Sequence, residues 1–147
     1  MNAESTPSEI DHLAAAFFRA VSFEEGALPP YENLHDLFIE AGLLIRLSSS
    51  VPEVDNVAAF IQPRMAMVLA GELTRFREWE ISATTQVFGN VAHRYSAYGK
   101  AGVMRGVAFQ ARGMISTQFA RTAAGWRITA MAWDDERPGL AIPPEYL

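Results

Sequence analysis

Three kinds of side chain in this sequence could carry chemistry: groups able to move a proton, arginines able to hold an anion, and hydroxyls able to bind a polar ligand. Acid–base work needs a group whose pKa is tuned by an apolar surround. Of the 3 histidines, His93 is the best placed. It shares its period-two pattern with Tyr95 and Ala97, as a strand residue facing a cavity would; a hydrogen-bonded strand histidine reads the same way. His12 falls on the polar side of a helix and reads as a surface residue. His35 and Asp36 are adjacent, and adjacent helical residues diverge, so they form no dyad; His35 is expected at a cavity mouth. Glu80 is the second candidate base. It shares a strand face with Glu78 near Arg75 and Arg77, so an ion-pair network is the alternative.

Arg46 stands in an apolar run and needs a partner: an anionic ligand, or a salt bridge to Glu40 or Glu80. Arg112, Ser116 and Gln118 form one polar row, and Arg94, Ser96 and Tyr98 another. Each row could be a hydrogen-bonding wall for a ligand or a polar dimer interface. In a catalytic site Tyr98, Ser96 or Arg112 would stabilise developing negative charge. Trp79 and Trp133 would supply apolar wall. Asp134, Asp135 and Glu136 are contiguous, whereas metal loops space their ligands around a glycine, so a solvated strand end is expected and no metal. GxSxG, HExxH, a phosphate-cradling glycine loop and a dinucleotide fingerprint are all missing, so no cofactor is expected.

Composition narrows the class. The chain has 147 residues, enough for one domain, and 50% hydrophobic residues, enough for a full core. With Cys at 0 there is neither a disulfide framework nor a thiol nucleophile. The acidic start, MNAESTPSEID, does not read as a signal or transit peptide, and no apolar run reaches the roughly 20 residues of a spanning helix. A cytoplasmic protein with no membrane partner is expected. Net charge is −5 and basic residues are scattered, so nucleic acid is not expected as a partner.

The elements that must position these groups follow from periodicity. Residues 1–6 read as a frayed tail, with Thr6 as cap before Pro7. Ile10, Leu13, Ala14, Phe17, Phe18 and Val21 mark a first helix. Tyr31 to Phe38 reads as a short helix stopped by Gly42, and Leu43 to Leu47 as a strand. Ser48 to Pro52 is a turn. Asp55 would cap a helix kinked or split at Pro63 and ended by Gly71. From Trp79 the period becomes two, with Trp79, Ile81, Ala83 and Val87 on the apolar side. Gly89-Asn90 turns into a strand from Val91 to Tyr98. Gly99 to Gly106 reads as a flexible connection. Two long strands then run from Gly106 to Glu136. Val107, Phe109, Ala111, Ile115 and Phe119 share one face of the first. In the last strand Met131 and Trp133 oppose Trp126 and Ile128, as if both faces were covered. Residues 138–147 hold prolines and read as an extended tail. Helices first and a meander after make the chain α+β.

GELTRFREWE, FGNVAHRYSAY, RGMISTQF and above all GWRITAMAWDDE resemble the nuclear transport factor 2-like superfamily, which includes ketosteroid isomerase, scytalone dehydratase and the SnoaL-like cyclases. The combination resembles an uncharacterised bacterial SnoaL-like branch. The resemblance runs from roughly Ile10 to Pro144 and implies one SnoaL-like domain over 1–147. It implies a cone in which a curved antiparallel sheet wraps the helices around an apolar cavity, and pairing through the sheet as a homodimer. It further implies a small apolar or aromatic ligand and cofactor-free isomerase, dehydratase or cyclase chemistry, the alternative being a non-catalytic dimerisation or carrier module. Ala130, Met131, Ala132 and Trp133 stand where several catalytic relatives carry histidines, and the aspartate base of ketosteroid isomerase-like members has no secure counterpart.

Overall fold

In the computed structural model, which describes residues 5–147, the Ser5 side chain accepts a hydrogen bond from the Ser8 backbone N–H and caps α1 (Thr6–Val21). The cap is therefore Ser5 and not Thr6, which already belongs to the helix; the remainder of the expected tail, residues 1–4, lies outside the described residues. Ile10, Ala14, Phe17, Phe18 and Val21 bury the apolar stripe of α1.

Tyr31–Asp36 is a single 3₁₀ segment, and Phe38 already opens β1 (Phe38–Arg46). Gly42 lies inside that strand instead of ending a helix. A Cβ there would come within 2.8 Å of the Phe38 ring, at the point where pairing with the last strand becomes irregular. A short edge strand, β2 (Glu53–Asp55), forms beyond the turn, and Asn56 rather than Asp55 caps α2 (Val57–Leu69) by accepting from the Ala59 N–H at 2.8 Å. Pro63 does not divide α2, although it has no N–H to give the Ala59 carbonyl. Gly71, at φ +73°, follows the helix end as expected.

The rest is sheet: β3 (Leu73–Phe88), β4 (Val91–Met104), β5 (Val107–Thr122) and β6 (Gly125–Asp135). The strand order is β2-β1-β6-β5-β4-β3, with β1 parallel to β6 and every other pair antiparallel. This curved, unclosed sheet carries its helices on the inner face, an α+β cone.

Two bulges decide what faces inward. Phe119 pairs with Ile128 but Gln118 with Ala130, so Thr129 is an extra residue in β6. It brings Met131 onto the same buried face as Trp126 and Ile128. The weak alternation of the last strand comes from this bulge; Ala130 and Ala132, on the other side, are partly buried. In β3 the extra residue is Ile81, between Glu80 and Ser82. Here the expected apolar side is reversed: Trp79 lies against Gly99 on the outer face, and Glu78 and Glu80 point inward beside Lys100 and Tyr98.

Gly99 to Gly106 is not a flexible connection. Residues 99–104 complete β4, and Arg105-Gly106 makes a tight turn at positive φ. A Cβ at Gly99 would meet the Trp79 ring at 2.5 Å, and one at Gly102 would meet the Arg75 carbonyl at 2.4 Å. These glycines mark close approaches between neighbouring strands. The tail makes one short 3₁₀ turn, Pro144–Tyr146, and lies against the outer face. Tyr146 meets Tyr95 edge-on at 5.4 Å, and the Ser82 hydroxyl donates to the Tyr146 carbonyl.

Candidate active site in the cone cavity

At one end of the inner face, α1 and the sheet close on each other with Trp126, Ile128, Phe119, Ile10 and Leu34 in a single core cluster. At the other end they part and leave a cavity of about 680 Å³. Such a volume suits a small organic ligand. Apolar wall comes from Phe17 on α1, Phe60 and Met67 on α2, Phe76 and Phe109 on the sheet, and Trp133, whose ring meets Phe60 edge-on at 6.2 Å; Arg46, Glu53, Asp55, Arg64, Glu78 and Lys100 add charge to it.

Glu78 brings a carboxyl group to this cavity from β3. Its backbone is tied to Ser22, whose hydroxyl accepts from the Glu78 N–H at 3.0 Å, and this fixes β3 against the end of α1. Among the described residues, its side chain has no hydrogen-bond or ion-pair partner. Burial pushes the carboxyl up from 4.5 to about 7, against the attraction of Lys100. Lys100 lies opposite Glu78 in the register and is oriented from behind. Its ammonium contacts the Asp135 carboxylate at 3.0 Å, and the Tyr98 hydroxyl donates to the other oxygen of Asp135 and to the Asp134 carbonyl. Burial, and then the hydrogen bond to Asp135, hold the Tyr98 phenol far above its ordinary value. Gly113 permits this arrangement, since a Cβ there would come within 2.5 Å of the Tyr98 hydroxyl. On α2, the Arg64 guanidinium lies 3.6 Å over the Phe60 ring and donates to the Phe60 carbonyl at 2.9 Å. Burial also pushes Tyr31, on the cavity wall, up to about 12.

Of the residues singled out in the sequence, Arg46 and Trp133 line this cavity. Arg46 pairs with Glu53 at 3.1 Å, and with neither Glu40 nor Glu80, because β2 brings Glu53 opposite it. Glu80 accepts both Nε and Nη2 of Arg94, at 3.0 and 2.6 Å, together with the Ser96 hydroxyl at 2.7 Å; its carboxylate is fully engaged as a counter-ion. Ser96 and Tyr98 are buried behind the wall. His93 is exposed on the outer face, 2.7 Å from Gln86, and Ser116 is exposed on that face as well. Arg112 is exposed and pairs with Glu136. His35 is exposed beside Glu32 at 3.5 Å. Asp135 is not a solvated strand end: its side chain is 20% exposed and serves Lys100 and Tyr98.

No family model and no curated protein matches the chain. Solved structures do. A nuclear transport factor 2-like superfamily protein from Salmonella enterica serovar Typhimurium superposes with a TM-score of 0.71 at 15% identity, over 88% of this chain and 90% of that one. One from Prochlorococcus, of unknown function, gives 0.70 at 17% identity over 91% and 95%. A protein with a cystatin-like fold from Caulobacter vibrioides gives 0.68 at 12% identity over 90% and 91%. The chain has the nuclear transport factor 2-like fold.

Within this nuclear transport factor 2-like cone the unsatisfied Glu78 has a measurable cost. A carboxyl whose folded-state pKa exceeds its unfolded value binds its proton more tightly when folded. Stability therefore falls as pH rises from 4.5 to about 7, and the full penalty persists above that. Glu78→Gln removes the ionisation. Denaturant unfolding at about pH 8 should show the variant more stable by up to about 3 kcal/mol, with no difference at about pH 4. Equal stabilities at the higher pH would show that Glu78 ionises freely. Among the described residues no helix is long and apolar enough to cross a membrane.

Proposed function

We propose that the cone cavity binds a small, mainly apolar or aromatic molecule and that Glu78 moves a proton on it, as a cofactor-independent isomerase, dehydratase or cyclase would. One observation carries this reading: a carboxyl group poised near pH 7 that lines the cavity and, among the described residues, has no hydrogen-bond or ion-pair partner. A general base works best with a pKa near the operating pH. Lys100 sits across from it as a cation fixed by Asp135, suited to hold charge that develops on a carbonyl oxygen as a neighbouring C–H bond ionises. The cavity is open space, not one filled by Phe, Met and Trp side chains, which favours a ligand site over a module built only for association.

The test uses 2-tetralone, an apolar enolisable ketone, in deuterated buffer with NMR detection. The protein should accelerate deuterium incorporation beside the carbonyl. The rate should rise through about pH 7 as Glu78 ionises and fall to background in Glu78→Gln. No acceleration, or a rate indifferent to Glu78→Gln, would overturn the assignment.

A further inference from the structure

Three cations line the cavity, and the chain neutralises two of them. Arg46 has Glu53, and Lys100 has Asp135. Arg64 forms no ion pair among the described residues, although Asp55 and Glu53 act on it through space. Placing a charge out of water without a partner is costly, and burial pulls this guanidinium down from its ordinary value. Its placement is nevertheless fixed. Its central carbon lies 3.6 Å from the centre of the Phe60 ring, and Nη1 is anchored on the Phe60 carbonyl.

We propose that Arg64 anchors a carboxylate carried by the ligand, so that the cavity takes an apolar or aromatic carboxylic acid and presents its reacting C–H bond to Glu78. This deepens the reading of the same cavity and rests on it. The chemistry favours a carboxylate over a lone polar atom. A guanidinium offers five N–H donors in a planar fork that a carboxylate can meet with two parallel bonds. The contact with the Phe60 ring holds the group in place, and the Phe60 carbonyl occupies only Nη1. Arg46 and Lys100 are poorer anchors because each already faces a carboxylate. Phe60, Trp133 and Phe109 supply the apolar body of the site.

Calorimetric titration with 2-naphthoate and its neutral isostere 2-naphthamide, at about pH 6 where Glu78 holds its proton, tests this. The wild-type protein should bind the carboxylate about tenfold or more tightly than the amide. Arg64→Met should bring the carboxylate to the level of the amide and leave the amide unchanged, which also shows the cavity intact. Arg64→Lys keeps the charge without the fork, so an intermediate preference is expected; it serves if the methionine variant does not fold. Equal binding of the two probes by the wild type, or a preference that survives Arg64→Met, would overturn the anchor while the amide still demonstrates the ligand cavity. If neither probe binds, the cavity reading falls and the anchor with it.

Discussion

Trp126→Ala should destabilise the fold by about 3–5 kcal/mol, a large share of a total stability of about 5–15 kcal/mol. Trp126 is 2% exposed and shares the closed end of the cone with Ile10, Leu34 and Ile128. It enters β6 just after the turn glycine Gly125, so its loss opens a cavity where the last strand begins. One detail makes the prediction sharper. Among the described residues the indole N–H has no hydrogen-bond partner, and an unpaired buried donor costs about 1–3 kcal/mol. Trp126→Phe removes that donor while keeping most of the ring volume, and should change stability by less than about 1.5 kcal/mol. Thermal unfolding of both variants checks the pair. An unchanged midpoint for Trp126→Ala would show that this end of the cone is not the folding core.

Arg94→Met is the second large effect. The Arg94 side chain is 10% exposed and joins three elements: two bonds to Glu80 on β3, one to Asp11 on α1 at 2.6 Å and one to Thr85 at 2.9 Å. Removing it leaves Glu80, at 21% exposure, with only the Ser96 hydroxyl. Breaking one side of a buried pair costs about 3–5 kcal/mol, because the other charge stays behind. Replacing both partners removes the stranded charge, so Arg94→Met combined with Glu80→Met should recover most of the loss. Denaturant midpoints of the single and double variants decide it. A double variant as unstable as the single would place the energy in packing around Arg94 and not in its charge.

The same two glutamates show what could be seen in the sequence and what could not. Glu78 and Glu80 are one strand period apart, and their shared face was legible; which of them would be consumed by an arginine was not. That depends on Arg94 and Ser96 arriving across the register from β4. The inward direction of that face was misread because binary patterning assigns glutamates to water, and a site is where that pattern breaks. Lys100 went unnoticed because three glycines nearby suggest mobility, whereas Gly99 and Gly102 are small to let Trp79 and the β3 backbone approach. Asp135 was hidden among contiguous carboxylates. Arg64 follows Pro63, a residue that suggests a broken helix rather than a cavity wall. The elements with sustained periodicity, α1 and the β5–β6 ribbon, were legible because each has one buried face. The Thr129 bulge was not, since one extra residue leaves no compositional mark.

The cone is closed at one end and hollow at the other, and this bears on how such a chain can diversify. Side chains in the closed end touch neighbours on every side, so a change of volume there leaves a void or forces a clash. Side chains on the cavity wall border empty space on one side, so enlarging Met67 or Met104 meets less crowding. The closed core and the hollow thus occupy opposite ends of one sheet, with Phe17, Tyr31, Phe60 and Ile115 common to both. Substitutions facing the hollow therefore carry less thermodynamic risk than substitutions in the closed end, which keeps the architecture heritable.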